Sequence, residues 1–196
     1  MSKIKQDLKI QLEDNINVHW DILRMSNDIY KAIQIIEKKI TKGGKILFCG
    51  NGGSAADAQH LAAEFLVRLR PNVNRKPIAA LSLAQDVSTI TACGNDYNFD
   101  DLFKRNLQAL GSKKDVLVCI STSGNSKNIL NVLKEANKKK IYSIGFLGNK
   151  GGKAKKYCDS KLVVKSSNTA RIQECHIFLG HFILENVENL VINKKK

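Results

Sequence analysis

The sequence predicts an α/β fold in which an open, parallel, five-stranded sheet is flanked by helices on both faces. Short apolar runs recur along the chain with helical patterns between them, and the runs are apolar almost throughout rather than at every second residue. This pattern is typical of strands buried on both faces of a parallel sheet. The predicted strands are Ile46–Cys49, Ile78–Leu83, Val116–Ile120, Ile141–Leu147 and Leu162–Val164. The predicted intervening helices are Ala55–Arg68, Val87–Thr91, Asp101–Leu110 and Ile129–Lys138.

Further helical patterns lie at the two ends of the chain. The first 42 residues carry apolar side chains every three or four positions, and Gly43 and Gly44 end the pattern. This stripe consists of Ile22, Met25, Ile29, Ile33, Ile36 and Ile40, with a weaker upstream extension at Leu8 and Leu12. The last predicted helix, Ala170–Ile192, has an apolar side made of Ile172, Leu179, Ile183, Val187 and Leu190. We expect the first helices to serve in oligomer packing.

Length and composition bound the class of protein. A chain of 196 residues suits one structural domain, which we divide into a helical extension over residues 1–44 and a sheet domain over residues 45–196. Hydrophobic residues make up 43% and charged residues 26%, which excludes a disordered chain. The sequence contains no run of about 18 apolar residues, so it predicts no membrane span. Met1–Gln11 also lacks the apolar core of a signal peptide. We therefore expect a cytoplasmic location and no membrane partner.

The cysteine and lysine patterns each favour a structural interpretation. The five cysteines form no CxxC pair, so we interpret them as buried apolar residues rather than disulfides or zinc ligands.

The net charge is +14, and Lys134–Lys165 holds ten lysines against two acids, with three more lysines at 194–196. Arginine and interleaved aromatic residues are scarce there, so we expect a solvated surface and no nucleic-acid partner. The basic field would still attract a phosphorylated substrate.

Two loops at the expected carboxyl ends of strands are candidates for ligand binding, because open α/β sheets bind ligands there. The first is the glycine-rich loop Gly50–Ser54, whose match to a dinucleotide fingerprint is weak because no acidic residue ends the second strand. The second is Ser121–Ser126, which places four hydroxyl side chains and a glycine just before a helix. Hydroxyl donors at a helix N-terminus suit a phosphate group, so the second loop is the predicted phosphate site.

Ionisable side chains on two predicted helices could form a metal or acid–base site. His60 and Glu64 are four residues apart, so they share one helix face beside the glycine-rich loop. The last helix carries Gln173, Glu174, His176 and His181. Gln173 and His181 are eight residues apart, about 12 Å along a helix, and His176 is closer to Gln173. Spacing alone leaves the choice between the two histidines open.

Four segments together resemble the bacterial phosphoheptose isomerases, a family of sugar-isomerase (SIS) domain proteins. These segments are CGNGGSAADAQHLAAE at 49–64, GND at 94–96, STSGNS at 121–126 and ARIQECHIFLGH at 170–181. The resemblance covers essentially the whole chain and implies a flavodoxin-like SIS fold. It also implies conversion of sedoheptulose 7-phosphate to D-glycero-D-manno-heptose 7-phosphate through an enediol, supplying heptose for lipopolysaccharide or capsule. The family members are zinc-binding homotetramers with active sites between subunits.

The resemblance assigns roles residue by residue. It implies that Glu64 and His181 carry the proton transfers. It implies that zinc is held by His60, Glu64, Gln173 and His181. The substrate contacts that it implies are Asn51, Gly52, Gly53, Asn95, Asp96, Ser121, Thr122, Ser123, Ser126 and Gln173. The alternative is a non-catalytic SIS-domain protein that binds the replication initiator DnaA; in that branch the Glu and the last His of the zinc set are replaced, whereas both are present here.

Overall fold

A five-stranded parallel sheet forms the centre of the protein, as the sequence predicts. The computed structural model describes residues 2–193. In chain order the strands are β1 (Ile46–Gly50), β2 (Ala80–Ser82), β3 (Val116–Ser121), β4 (Tyr142–Gly148) and β5 (Ser160–Val164). Their order across the sheet is β2-β1-β3-β4-β5, and every neighbouring pair is parallel. β2 is shorter than its apolar run, and β5 begins two residues before its run.

Helices cover both faces of the sheet. They are α1 (Ser2–Asp21), α2 (Ser26–Thr41), α3 (Gly53–Leu66), α4 (Val87–Asp96), α5 (Leu102–Leu110), α6 (Lys127–Lys139) and α7 (Thr169–Asn193). Short 3-10 turns lie at Ile22–Met25, Phe99–Asp101 and Lys153–Lys156. The first helical region is therefore interrupted at 22–25 and not continuous. α4 extends five residues beyond the predicted helix, and Asp86 caps its start by accepting hydrogen bonds from the backbone of Ser88 and Thr89.

The apolar strand residues divide into two layers. Alternate positions, such as Phe48 and Val118, face a layer formed with α2, α3 and α7. The positions between them, such as Leu47 and Leu117, face a layer formed with α5 and α6. Burial on both faces explains why these strands read as continuous apolar runs.

Most residues of the predicted apolar stripe at 22–40, and most of those on the apolar side of α7, are buried. Ile22, Ile29, Ile33 and Ile36 are buried, whereas Met25 and Ile40 are partly buried at the margin of the core. The prediction for Leu190 is wrong: it is 37% exposed, whereas the next residue, Val191, packs against the core. Leu8 and Leu12 are exposed on α1.

All five cysteines are free and buried, which confirms their interpretation as apolar residues. Cys49 and Cys119 pair in register on β1 and β3, with their Sγ atoms 3.3 Å apart. Burial raises the pKa of Cys119, and it raises the pKa of Cys158 to about 12. These thiols stay protonated at neutral pH.

The lysine-rich segment lies at the surface, where nine of its ten lysines are exposed. The other, Lys139, is partly buried and donates to the carbonyls of Leu107 and Gln108. The predicted contribution of Lys194–Lys196 lies outside the described residues. No helix among residues 2–193 is long and apolar enough to cross a membrane. The division into an extension over 1–44 and a sheet domain over 45–196 stays a prediction.

Candidate functional site

The two predicted ligand loops follow neighbouring strands and lie at the same edge of the sheet. β1 and β3 are neighbours in the sheet, and α3 after β1 packs on one face while α6 after β3 packs on the other. The strand order is that of a flavodoxin-like sheet, in which ligands bind at the switch point beyond the carboxyl ends of β1 and β3. The glycine-rich loop and the hydroxyl-rich loop both lie at this point.

The glycines of the first loop allow a close approach by α7. Gly52 precedes α3 with a φ of 58°, a conformation that glycine adopts without strain. A Cβ on Gly53 would lie 2.5 Å from Nε2 of Gln173. The Gln173 side chain therefore rests directly on this loop, and a side chain at residue 53 would displace it.

A reciprocal pair of amide hydrogen bonds joins the two loops. Asn51 Nδ2 donates to Asn128 Oδ1 at 2.9 Å, and Asn128 Nδ2 donates to Asn51 Oδ1 at 2.8 Å. Asn128 is buried, and its Oδ1 also accepts from the amide of Ile129. The predicted substrate contact Asn51 thus has its side chain occupied in this linkage. Sequence reasoning missed Asn128, although it lies two residues after the hydroxyl cluster.

The hydroxyl-rich loop is preorganised by its own hydrogen bonds. Ser121 Oγ accepts from the amide of Gly124, and Ser123 Oγ accepts from the amide of Asn125, both at 3.1 Å. Each of these hydroxyls keeps its hydrogen for donation to a ligand. Ser126 is the N-cap residue of α6, and its side chain makes no capping hydrogen bond. Thr122 is half-buried between these serines. The loop therefore offers hydroxyl donors beside the free amides of a helix N-terminus.

Three ionisable side chains from α3 and α7 form a cluster. His60 Nε2 lies 2.8 Å from His181 Nε2 and 3.6 Å from Glu64 Oε1. The two imidazole rings meet edge to face, with centroids 5.0 Å apart. Burial lowers the pKa of His181, His60 lowers it further, and Glu64 opposes both effects. His181 is therefore held as a neutral imidazole that can accept a proton.

The structure separates the two histidines that spacing left open. His181 meets His60, whereas His176 is fully buried with its ring centroid 6.0 Å from that of Phe146. Burial lowers the pKa of His176 to about 4, although the Leu147 backbone acts in the opposite direction. Glu174 pairs with Arg171 and accepts a hydrogen bond from Asn15 of α1. Neither His176 nor Glu174 joins the cluster.

The donor chemistry of the cluster suits zinc. Zinc takes imidazole nitrogens at about 2.0–2.1 Å, together with carboxylate oxygens. Two such nitrogens on a tetrahedral ion lie about 3.3 Å apart, so small ring rotations from the 2.8 Å observed between His60 and His181 would admit the ion. As they stand, residues 2–193 hold no group of three or more His, Cys, Asp and Glu side chains arranged to bind a metal.

Asn95 and Asp96 stand apart from the other candidates. Both are exposed at the end of α4, where Asn95 Nδ2 donates to Asp96 Oδ1 at 2.8 Å. Within residues 2–193, no hydrogen bond links them to the loops or to the histidine cluster. The 3-10 turn that follows lies beside the start of α6, with Asp100 Oδ2 3.7 Å from Lys127 Nζ.

Asp57 is an ionisable residue that sequence reasoning missed. It lies one turn before His60 on α3, and its Oδ2 is buried without a hydrogen-bond partner. Burial raises the pKa of Asp57 to about 6, and His60 opposes this effect. Its spacing of three residues from His60 was the available signal.

The chain matches known proteins over nearly its whole length. A family model described as SIS domain matches residues 19–148. A phosphoheptose isomerase of Clostridium acetobutylicum is 41% identical over 195 residues, which are 98% of each chain. One from Paramagnetospirillum magneticum is 49% identical over 158 residues, 81% of each chain.

Two solved structures share the architecture. A phosphoheptose isomerase from Neisseria gonorrhoeae has a TM-score of 0.88 at 37% identity, covering 95% of this chain and 99% of its own. One from Francisella tularensis has a TM-score of 0.90 at 33% identity, covering 96% and 100%. The chain belongs to the SIS domain family and, within it, to the phosphoheptose isomerases. It is therefore a sugar-phosphate isomerase, which agrees with the resemblance that its motifs indicate.

The buried neutral state of His176 predicts a loss of stability in acid. Its pKa is about 4 in the folded chain and about 6.5 when unfolded, so the unfolded chain takes up the proton first as the pH falls. The free energy of unfolding should lose up to about 3 kcal/mol from this residue between pH 6.5 and 4. Urea unfolding of the wild type and of His176→Leu across this range measures the effect. Identical pH dependence in the two proteins would contradict it.

Proposed function

We propose that this enzyme interconverts sedoheptulose 7-phosphate and D-glycero-D-manno-heptose 7-phosphate, supplying heptose for lipopolysaccharide or capsule. The observation that carries the proposal is the cluster of His60, Glu64 and His181, formed by α3 and α7, the same two helices that bring Gln173 onto the glycine-rich loop at Gly53. Relatives named phosphoheptose isomerase, at 41% and 49% identity, support the choice of substrate. The expected cytoplasmic location stays a prediction.

The cluster provides the two proton carriers that an aldose–ketose isomerisation needs. A base removes a proton from C1 of the ketose while an acid protonates the oxygen on C2, which gives an enediol. Return of a proton to C2 and loss of the proton on the C1 oxygen complete the aldose. We assign the carbon transfers to the Glu64 carboxylate and the oxygen transfers to His181, whose lowered pKa keeps it neutral between turnovers.

We assign the remaining substrate contacts to the two loops and to the end of α4. Ser121, Thr122, Ser123 and Ser126 would hold the phosphate with hydroxyl hydrogens and the α6 N-terminus. Gly52, Gly53 and Gln173 would line the sugar, with Asn51 holding the loop through Asn128. Asn95 and Asp96 would hold sugar hydroxyls, and their exposure favours contact with substrate at an interface between chains.

We further propose that His60, Glu64, Gln173 and His181 hold one zinc ion. Two imidazoles, a carboxylate and an amide oxygen form a donor set that zinc accepts. When bound, zinc supplies a Lewis acid for the oxygen that carries negative charge in the enediolate. The two helices set the arrangement of the proposed ligands, because His60 and Glu64 lie on one face of α3 and face His181 on α7.

We infer that the enzyme assembles as a homotetramer through its first helices. A stripe of exposed apolar side chains runs along one face of α1 into the next turn, and consists of Ile4, Leu8, Leu12, Ile16, Trp20 and Leu23. It continues into an apolar groove of about 300 Å³ between α2 and α7, where Tyr30, Phe178 and Phe182 are also exposed. An apolar face of this extent needs a partner, and a second copy of the chain supplies a matching apolar face. The DnaA-binding alternative is favoured by no observation.

Incubation with sedoheptulose 7-phosphate tests the proposed reaction. The wild type should form the aldose phosphate, observed by NMR, whereas Glu64→Gln should lose turnover because an amide cannot act as a base. Glu174→Gln is the control, since Glu174 pairs with Arg171 outside the cluster. Absence of aldose from the zinc-supplied wild type would overturn the proposal.

Removing hydroxyls from the phosphate loop should weaken substrate binding. The triple variant of Ser121, Ser123 and Ser126 to Ala should raise KM by at least tenfold, since each bond to a charged group contributes roughly 1.5–3 kcal/mol. The exposed Ser88→Ala on α4 serves as a control, because it lies outside the loop. An unchanged KM in the triple variant would exclude this loop as the phosphate site.

Metal analysis separates the two histidines of α7. His181→Ala should lose both the bound zinc and the turnover, because it removes a ligand and a proton carrier. His176→Leu should keep the zinc, since His176 lies in the core against Phe146. Zinc content is measured on purified protein beside the turnover assay. Zinc lost from His176→Leu and kept in His181→Ala would show that the ligand set is wrong.

A charged substitution on the α1 stripe should weaken assembly without burying a charge inside one chain. Light scattering should give the wild type a mass near four times the 21.8 kDa of one chain. Leu8→Glu combined with Leu12→Glu should lower that mass, because the charges would be buried at the interface. Ile10→Glu, on the opposite side of α1, should not. A monomeric wild type would refute the inferred assembly.

A further inference from the structure

Glu64 lies in the last turn of α3, where the helix cannot satisfy its own carbonyls. The final four carbonyls of a helix have no partner within it, and α3 ends at Leu66. Arg75 supplies donors at this point. Its Nη2 donates to the Glu64 carbonyl at 2.8 Å, and its Nη1 donates to the Phe65 carbonyl at 3.0 Å.

The Arg75 guanidinium is itself fixed by α7. Its Nε donates to Oε1 of Glu188, and the side chains of Arg75 and Glu188 are only 4% and 3% exposed. Glu188 lies seven residues after His181, two turns further along the same face of α7. One buried side chain therefore connects the backbone of Glu64 to the helix that carries His181.

Arg70 offers a comparison within the same network. Its Nε donates to the other oxygen of Glu188 at 2.7 Å, and it also contacts Asn189 and Glu185. It makes no hydrogen bond to the carbonyls at the end of α3. Both arginines thus neutralise Glu188, but only Arg75 reaches the backbone of Glu64.

We infer that Arg75 is a positioning residue for the isomerase reaction, holding the Glu64 carboxylate in register with His181 through the Glu64 carbonyl and Glu188. This inference rests on the proposed function, because it takes Glu64 and His181 as the proton carriers. Proton transfer depends steeply on placement, since a displacement of about 1 Å can cost roughly 100-fold in rate. The burial of the Arg75 and Glu188 side chains strengthens the argument, because water cannot readily replace a buried guanidinium. The Glu64 carbonyl is the critical acceptor, since the Phe65 carbonyl also accepts from the Ile78 amide.

Kinetics of matched arginine variants test the inference. Arg75→Ala should lower kcat by about 10- to 100-fold and leave KM within about twofold, because the phosphate loop is untouched. Arg70→Gln should keep kcat within about twofold while also removing a cation from Glu188. Arg70 remains to pair with Glu188 in Arg75→Ala, which favours folding. Arg75→Lys gives a second folded variant with the charge retained, and its single ammonium should not restore full kcat.

Chemical rescue distinguishes positioning from general stabilisation. Guanidinium chloride, well below denaturing concentration, should raise the kcat of Arg75→Ala, whereas urea should not, because only the cation can replace the lost group beside Glu188. Arg70→Gln should show no rescue. Wild-type kcat in Arg75→Ala, or equal losses of kcat in the two arginine variants that follow their loss of stability, would overturn the inference.

Hydrogen exchange provides a readout that needs no substrate. Amides 64–67 at the end of α3 should exchange faster in Arg75→Ala than in Arg70→Gln, because the last turn loses its capping donors. Unchanged exchange in Arg75→Ala would overturn the positioning role whatever the activity. A wild type that exchanges as expected but fails to turn over sedoheptulose 7-phosphate would instead overturn the proposed function.

Discussion

The order of the parallel strands is the constraint on which the rest of the site depends. Because β1 and β3 are neighbours and their following helices leave towards opposite faces, the chain opens a crevice at their carboxyl ends. Short loops then deliver a helix N-terminus to each side of that crevice. The cluster of His60, Glu64 and His181 adds α7, which packs on the same face of the sheet as α3. A different strand order would scatter these groups around the sheet.

Side chains on helices that leave a sheet in different directions can meet only if contacts hold the helices and their loops together. In this protein a few specific contacts do so. Asn51 and Asn128 join the two loops through uncharged amides, so the linkage adds no net charge at this edge of the sheet. Gln173 rests on Gly53, which brings α7 against the first loop. At the other end of α3, buried charges serve the same purpose because several hydrogen bonds satisfy them together.

The sequence predicts the sheet and the motif-bearing loops well because both leave strong local signals. Continuous apolar runs indicate strands buried on both faces, and glycine or hydroxyl clusters mark the loops that follow. The break at Ile22–Met25 left no such signal, since the apolar spacing continues through it. Leu190 follows the apolar spacing of α7 but is 37% exposed, while its neighbour Val191 packs against the core. The helical spacing of apolar residues alone does not show which of them are buried.

The candidate site was predictable only as far as motifs extend. His60 and Glu64 share a helix face, so their spacing already places them together. Spacing alone left His181 and His176 open, and the family resemblance indicated His181. The fold agrees with that choice, because His181 meets His60 whereas His176 is buried in the core. Asn128, Asp57 and Arg75 have ordinary local surroundings in the sequence. Their importance arises from contacts made across the fold, and no single segment contains that information.

Because every cysteine is buried, the reactivity of the thiols reports how far the protein has unfolded. The thiolate is the form that attacks electrophilic thiol reagents, and in the folded chain both burial and raised pKa values keep the thiols from reacting. Cys49 and Cys119 lie on adjacent central strands, whereas Cys93 and Cys175 lie on helices. The number of thiols modified during a brief pulse therefore measures how far the molecule has opened, from a loosened helix to a separated sheet.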